Sequence, residues 1–457
     1  MTVSIGRVHS PGKAADYFAN DNYYTAEQSE AASVWMGEGS RDLGLSGTVE
    51  ASVFEKILDG KLPDGTQVNN PETRDYGRDF TFSMPKSASL LALVSGDTRI
   101  LAAHLQAVKE TMAWAEKNLA EARVHVGGKD VAVRTGNLVY ALFQHDTSRA
   151  TDPQSHIHAV IANLTRLPER FRKRDRVDPK TGEVISDNGW RAWHNGAMYR
   201  ASATLSSMAN AILREKLESL GYKTELSGKH GAFEILGPNG ERINKEALDG
   251  FSKRGNDIKA KAEALGVHSP EGRRAITQRT RDPKMNAGDR TELAERWRAE
   301  AREYRYNGDQ IYAMALAKSQ ERTSPIERGI RAVNTAVRET RGRLVDYLKR
   351  PEDPLVDSGL SKLTRTPPTA RAQYATASAI RILSEREAVF SKADVVKTAI
   401  DLGEKGVTPD RVERRIAELV EKGELVPETS QRLDKAVDMV TTREAIEQER
   451  RILKAMD

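Results

Sequence analysis

QHDTSRATDPQSHIHAVIANLT, residues 144–165, holds His145, His156 and His158, three of the nine histidines in 457 residues. A β-strand turns residues i and i+2 to the same face. His156 and His158 therefore project together, and Ile157 and Ala159 face the other way. The run NLVYALFQH (137–145) reads as the preceding strand, with His145 at its end. If the two strands pair across the loop DTSRATDPQS, the three imidazoles converge. Imidazole is the commonest metal-ligand side chain. Three protein ligands leave positions open on a divalent ion, the mark of a working site more than a structural one. Asp146 and Asp152 flank the site and are expected to orient ring N–H groups from outside it. The plainer reading is that His156 and His158 share a strand and bind nothing. The third histidine on a neighbouring strand argues against it.

Working outward, strand-like runs also occur at 4–9, 79–84 and 232–237. Leu101, Leu105, Val108, Met112, Ala115 and Leu119 recur at spacings of four and three, which predicts an amphipathic helix over 101–119. A second helix is expected over 203–220, stopped by Gly221. Strands and helices are interspersed, so the fold class is α+β, an antiparallel sheet flanked by helices. Residues 311–350 read as helical and charged. Residues 351–371 carry four prolines and read as a linker. Beyond it come a helix near 376–388, a second starting at Ser391 and a third starting at Thr408 before a short strand. That order fits a small winged-helix-like unit or a plain three-helix bundle. The expected organisation is 1–310, a connector and linker over 311–371, and a small, mainly helical domain over 372–457.

The chain is 38% hydrophobic and 30% charged, with no cysteine. Disulfides, thiolate metal sites and a cysteine nucleophile are excluded. No run approaches a membrane span and no secretory h-region is seen, so a cytoplasmic location without membrane insertion is expected. The net charge of +5 is mild. Basic residues cluster at 166–176 and at 273–305, the latter beside Trp297, Tyr304 and Tyr306. Such clusters suit a polyanion whose bases stack on the aromatics. An ion-paired, Arg-rich helix fits 273–305 equally well.

Two further stretches carry chemistry. DYFANDNYY (16–24) places Tyr17, Tyr23 and Tyr24 within eight residues. Tyrosine attacks a phosphodiester when a cation offsets phosphate charge and a base takes the phenolic proton. An aromatic packing cluster is the plainer reading. RDFTFSMPKSASL (78–90) opens a strand with Asp79, a carboxylate that suits a general base. It then turns at Met84-Pro85 into a helix whose N-terminus, with Lys86, could hold a phosphate.

Together these stretches resemble the MobF-type conjugative relaxases, the TraI- and TrwC-like enzymes. The resemblance runs through about the first 300 residues. It is carried by DYFANDNYY, LGLSGTVEASVFEKILDGKLPDG (43–65), DFTFSMPKSASLLALVSGD (79–97), residues 135–165 and EKLESLGYKTELSGKHGAFEI (215–235). The tyrosines precede the His-hydrophobic-His motif, as in that family; in the related rolling-circle initiators the tyrosine follows it. The first site has Phe18 where members often carry a second tyrosine. The resemblance implies a palm-like antiparallel sheet and a divalent metal on His145, His156 and His158, with magnesium or manganese first and zinc as an alternative. It implies Tyr17 as primary nucleophile, Tyr23 and Tyr24 as the second pair, and Asp79 as general base. The implied activity is nicking and rejoining of single-stranded DNA at a plasmid transfer origin through a 5′-phosphotyrosine. Relaxosome accessory proteins and a coupling ATPase are the implied partners. A rolling-circle replication initiator and a metal-dependent hydrolase using water are the rival readings. No G-x-x-x-x-G-K-[ST] is present, so no helicase motor is expected, as in a truncated or naturally short form.

Overall fold

Five antiparallel strands form the central sheet, in the order β1 (Thr2–Arg7), β3 (Gly77–Ser83), β7 (Pro153–Ala162), β6 (Tyr140–Thr147) and β2 (Ser33–Met36). The computed structural model describes residues 2–20, 33–68, 75–173, 176–177, 184–185, 187–267, 269, 272, 275–276, 290–323, 353–357, 365–428, 431–432, 435–436 and 438–456. All eight residues of β6 are buried, as are most of β7. Two-sided burial explains why these strands read as nearly continuous apolar runs.

The helices of the N-terminal half are α1 (Pro11–Asn20), α2 (Glu38–Asp42), α3 (Ala51–Leu58), α4 (Lys86–Leu93), α5 (Thr98–Leu119), α6 (Gly196–Arg200) and α7 (Ser202–Ser219). The sheet divides them by face. Phe80, Phe82, Leu142, Ile157 and Ala159 meet the apolar stripes of α5 and α7. Ala141, Phe143, Val160 and Ala162 point the other way and pack with Phe54 and Ile57 of α3 and Ala15 of α1. Residues i and i+2 of one strand thus feed one core and their neighbours the other. Gly77 opens β3 at φ 150°, where a Cβ would meet the Ile161 carbonyl at 2.1 Å. Only glycine lets β3 approach β7 at that end.

Four short helices follow: α8 (Lys245–Gly250), α9 (Lys253–Ala264), α10 (Arg290–Glu303) and α11 (Gly308–Thr323). The C-terminal region contains α12 (Pro367–Ser384), α13 (Lys392–Asp401) and α14 (Pro409–Glu421), with strands Val389–Ser391, Leu425–Glu428 and Met439–Thr442. Those strands pair antiparallel, with Met439–Thr442 in the middle. Ser391 caps α13 by accepting from the Asp394 N–H at 3.0 Å, as its sequence position suggests. Pro367 and Pro368 stand in the first turn of α12, where a missing N–H costs nothing. Arg411 of α14 bonds Glu215 of α7 at 2.8 Å, and the Trp114 indole of α5 donates to Glu413. Among the described residues no helix is long and apolar enough to cross a membrane.

Glu116 joins α5 to the sheet. Its Oε1 accepts from the backbone N–H groups of Glu38 at 2.8 Å and Leu138 at 2.7 Å, and the residue is 5% exposed. Burial lifts its pKa to about 7 against an ordinary 4.5, opposed by the two backbone bonds. The folded state therefore holds the proton more tightly than the unfolded chain. This contribution is fully present below about pH 4.5 and is lost as pH rises through about 7, an effect of about 3 kcal/mol. Glu116→Gln keeps the acceptor and cannot ionise. Denaturant unfolding should show it close to wild type near pH 4.5 and more stable at pH 8. Equal stability at both pH values would refute this account of Glu116.

Candidate metal centre

The pairing of β6 and β7 sets His145 directly opposite His156, and His158 lies two residues further along β7. All three project from the sheet face that α1 and α3 partly cover, beyond the apolar patch of Phe143 and Val160. The ring centroids are 4.8 to 5.4 Å apart. One nitrogen from each ring falls within 4.8 Å of the others. Bonds of about 2.1 Å allow two donors to stand at most about 4.2 Å apart, so small ring rotations suffice to close the set on one ion. Three imidazoles suit a first-row transition ion better than the harder, oxygen-seeking magnesium.

The strand-loop-strand element is tighter than expected from sequence. β6 runs on to Thr147 and β7 begins at Pro153, so the connection is Ser148–Asp152. A register shift lies between His145 and Thr147. Ser148 N–H donates to the Asp152 carbonyl, and Thr151 N–H to that of Ser148, both at 2.9 Å. Thr151 sits at φ 58°. A β-branched residue in that region is strained by roughly 1–3 kcal/mol and persists only where neighbours over-determine it.

Ring orientation comes from partners the sequence did not single out for that task. His158 Nδ1 lies 2.9 and 2.8 Å from the two carboxylate oxygens of Asp79. A carboxylate only accepts, so the proton belongs on Nδ1 and the lone pair on Nε2. Thr81 Oγ1 donates to Asp79 at 3.2 Å and completes the cluster. His156 Nδ1 donates to the Gln154 carbonyl at 3.0 Å, which frees its own Nε2 in the same way. Crowding of the His156 ring by protein lowers its pKa to about 4, and His158 adds to the effect. The ring is thus neutral, the form that ligates. Asp152, expected to orient a histidine, instead accepts from the Lys253 N–H at 3.0 Å and lies 3.6 Å from its ammonium. Lysines reach it from two elements, and a lysine is the stronger attraction for a buried carboxylate. His104 of α5 was also missed. It is fully buried beneath β7, 3.2 Å from Ser155 Oγ, and burial holds its pKa down to about 3. Its place in a long amphipathic helix gave no signal.

Other expected groups are distributed differently. Tyr17 is in α1, whose Ala15 packs on the histidine-bearing face of the sheet; the Tyr17 side chain is outside the described residues. Tyr23 and Tyr24 lie outside the described residues altogether. Lys86 begins α4 and donates to the Pro153 carbonyl at 3.1 Å; burial lowers its pKa to about 8, against the pull of Asp152. The aromatics near 273–305 are not stacking platforms. Trp297 is 4% exposed, with its N–H bonded to the Thr151 carbonyl. Tyr304 meets Phe251 edge-on, and Tyr306 bonds Ser95 at 3.0 Å. Their apolar bodies were needed for packing α10 against the rest of the fold.

The TrwC relaxase family model matches residues 11–304. Two multifunctional conjugation proteins TraI of Escherichia coli, one from strain K12, are each 36% identical over 301 residues, 64% of this chain and 16% of theirs. The chain therefore spans about one sixth of the length of the curated relatives it matches. A copper-bound conjugative relaxase TrwC in complex with oriT DNA is 35% identical at a TM-score of 0.57, covering 67% of this chain and all of that one. TrwC complexed with a 27-mer DNA comprising the recognition hairpin and the cleavage site is 34% identical at a TM-score of 0.55, with the same coverage.

Removing the carboxylate behind His158 should weaken ion binding without touching a ligand. Asp79→Ala is expected to lower Mn²⁺ affinity by about 10- to 100-fold in an electron paramagnetic resonance titration, with Asp79→Asn intermediate. Unchanged affinity in Asp79→Ala would show that the carboxylate does not set the ring.

Proposed function

The chain belongs to the TrwC relaxase family, and from that premise we propose that it nicks and rejoins one strand of DNA at a plasmid transfer origin through a covalent tyrosine–phosphate link. The observation that carries this reading is the convergence of His145, His156 and His158 on the sheet face where α1, the helix of Tyr17, also packs. The relatives bound to oriT DNA support single-stranded origin DNA as the partner. Relaxosome accessory proteins and a coupling ATPase follow from the same kinship, as does action in the cytoplasm.

His145, His156 and His158 would hold a divalent cation, manganese or magnesium as the working ion with the imidazole set favouring manganese of the two, and zinc as an alternative. When bound, the ion offsets charge on the non-bridging oxygens of the scissile phosphate. Tyr17 Oη attacks phosphorus in line as the P–O3′ bond breaks. The phenolic proton passes to one oxygen of Asp79 while the other keeps its hold on His158. The departing 3′ oxygen takes a proton from solvent and becomes a 3′-hydroxyl. The 5′ phosphate stays on tyrosine. One phosphate ester replaces another and no water is consumed, so the strand can be rejoined. A phenol, with pKa near 10, also leaves more readily than an aliphatic alcohol, which favours return attack by a 3′-hydroxyl. Tyr23 or Tyr24 serves the second transfer that ends the process.

The nicking unit is assigned to residues 1–310 and the connector and linker to 311–371, with the correction that the linker ends at Thr366, since Pro367 already opens α12. Residues 372–457 are assigned as a winged-helix-like domain, a reading supported by the order α12, strand, α13, α14, strand, strand. The contacts of α14 with Glu215 and Trp114 favour a role as a brace on α5 and α7.

The test uses labelled single-stranded origin DNA with Mn²⁺ or Mg²⁺ and a denaturing gel. Wild type should give a covalent protein–DNA band. Tyr17→Phe, with Tyr23 and Tyr24 also replaced, should give none. His156→Ala should nick about 10²–10³-fold more slowly while keeping most of its DNA affinity. Cleavage without an adduct, undiminished in the tyrosine variant, would mean that water is the nucleophile.

A further inference from the structure

The turn that joins the two histidine strands is held from outside at three consecutive residues. Trp297 Nε1 of α10 donates to the Thr151 carbonyl at 2.9 Å. Arg296 Nη2, one residue earlier, donates to Thr151 Oγ1 at 2.7 Å and to its carbonyl at 3.3 Å. The Lys253 N–H opening α9 donates to Asp152 Oδ2, and its ammonium meets Glu300 of α10 at 2.8 Å. Lys86 holds the Pro153 carbonyl.

These bonds meet where the backbone is least comfortable. Thr151 is β-branched and left-handed. The register shift of β6 lies between it and His145. A shift of one residue would send every side chain of β6 to the opposite face. His145 would then leave the other two histidines for the core under α5. The pairing therefore has to be pinned next to the bulge, and the grip on Thr151 and Asp152 comes from α9 and α10, more than a hundred residues away in sequence.

We propose that Trp297 and Arg296 are positioning residues for the histidine trio: by fixing Thr151 in its left-handed conformation they set the register that places His145 opposite His156. Their part is to fix the geometry of the ligands before an ion arrives. This inference rests on the metal-binding role assigned above to His145, His156 and His158.

The experiment uses the full chain. Trp297→Phe keeps an aromatic ring in the buried site and removes the N–H together with part of the indole's volume; Arg296→Met, which leaves the Trp297 packing intact, separates the two effects. In the ion-free protein, deuterium exchange in the peptide spanning 146–153 should speed up, with strands β1 and β3 unchanged. Mn²⁺ affinity by paramagnetic resonance should fall by about tenfold. Nicking should lose turnover at saturating DNA with KM unchanged. Adding Thr151→Gly, which takes the left-handed region without strain, should restore part of the affinity. Arg296→Met, a change at a side chain 45% exposed, gives the second variant if Trp297→Phe does not fold, and should shift exchange and affinity the same way. Variants that fold, with wild-type exchange at 146–153 and wild-type Mn²⁺ affinity, overturn the proposal. A wild-type protein that binds no Mn²⁺ would count against the proposed function, and the ion-free exchange would still decide the role of Trp297 and Arg296.

Discussion

The antiparallel register between β6 and β7 is the constraint on which the rest depends. It puts His145 across from His156 and leaves His158 two residues along the same face. Backbone pairing sets this arrangement, and each side chain follows from strand alternation. Along the strands the register is held because both faces are buried: Leu142 and Ile157 have to meet α5, while Phe143 and Val160 have to meet α3; beside the bulge it is held by the grip of Trp297 and Arg296 on Thr151. A slip would put His145 into an apolar core and cost the desolvation of an imidazole with no partner there.

The division of the sheet into two faces also organises the chemistry. The α5 face is closed and mostly apolar, with the His104–Ser155 pair buried in it. The other face is apolar under α1 and α3, and beyond Phe143 and Val160 the histidines, Asp79 and Thr81 collect on it. Asp79 reaches His158 across the β3–β7 pairing, in which Thr81 is the residue directly opposite. One carboxylate thus fixes a tautomer and stands on the same face as α1. Neighbouring strands let a residue 79 positions away serve as the partner of His158.

Further out, the fold spends its aromatic and basic residues on holding that arrangement. Trp297 and Arg296 close on Thr151, and Lys253 closes on Asp152. From sequence, a helix rich in arginine beside tryptophan and tyrosine fits a nucleic-acid surface as well as an ion-paired helix. The deciding quantity is burial, and Trp297 is almost wholly inside. Likewise Asp152 sits four residues from His156, a fair place for an orienting carboxylate, yet the lysines of other elements claim it.

The sequence alone determined β1, β3, β6 and β7 and the faces of their residues, because a period of two is a local property that survives whatever packs against it; the short β2 (Ser33–Met36) gave no such signal. It also determined the long helices α5 and α7, the helix starts at Ser391 and Thr408, and the kinship carried by the tyrosines, Asp79 and the histidine motif. The tertiary structure decided which carboxylate meets which histidine, where the turn between β6 and β7 tightens, and which aromatic rings are buried. Those outcomes depend on contacts between residues far apart in the chain, Thr151 with Trp297 or Asp79 with His158. Hydrogen bonds of that kind have no period and no spacing to be read, since they exist only once the elements have packed.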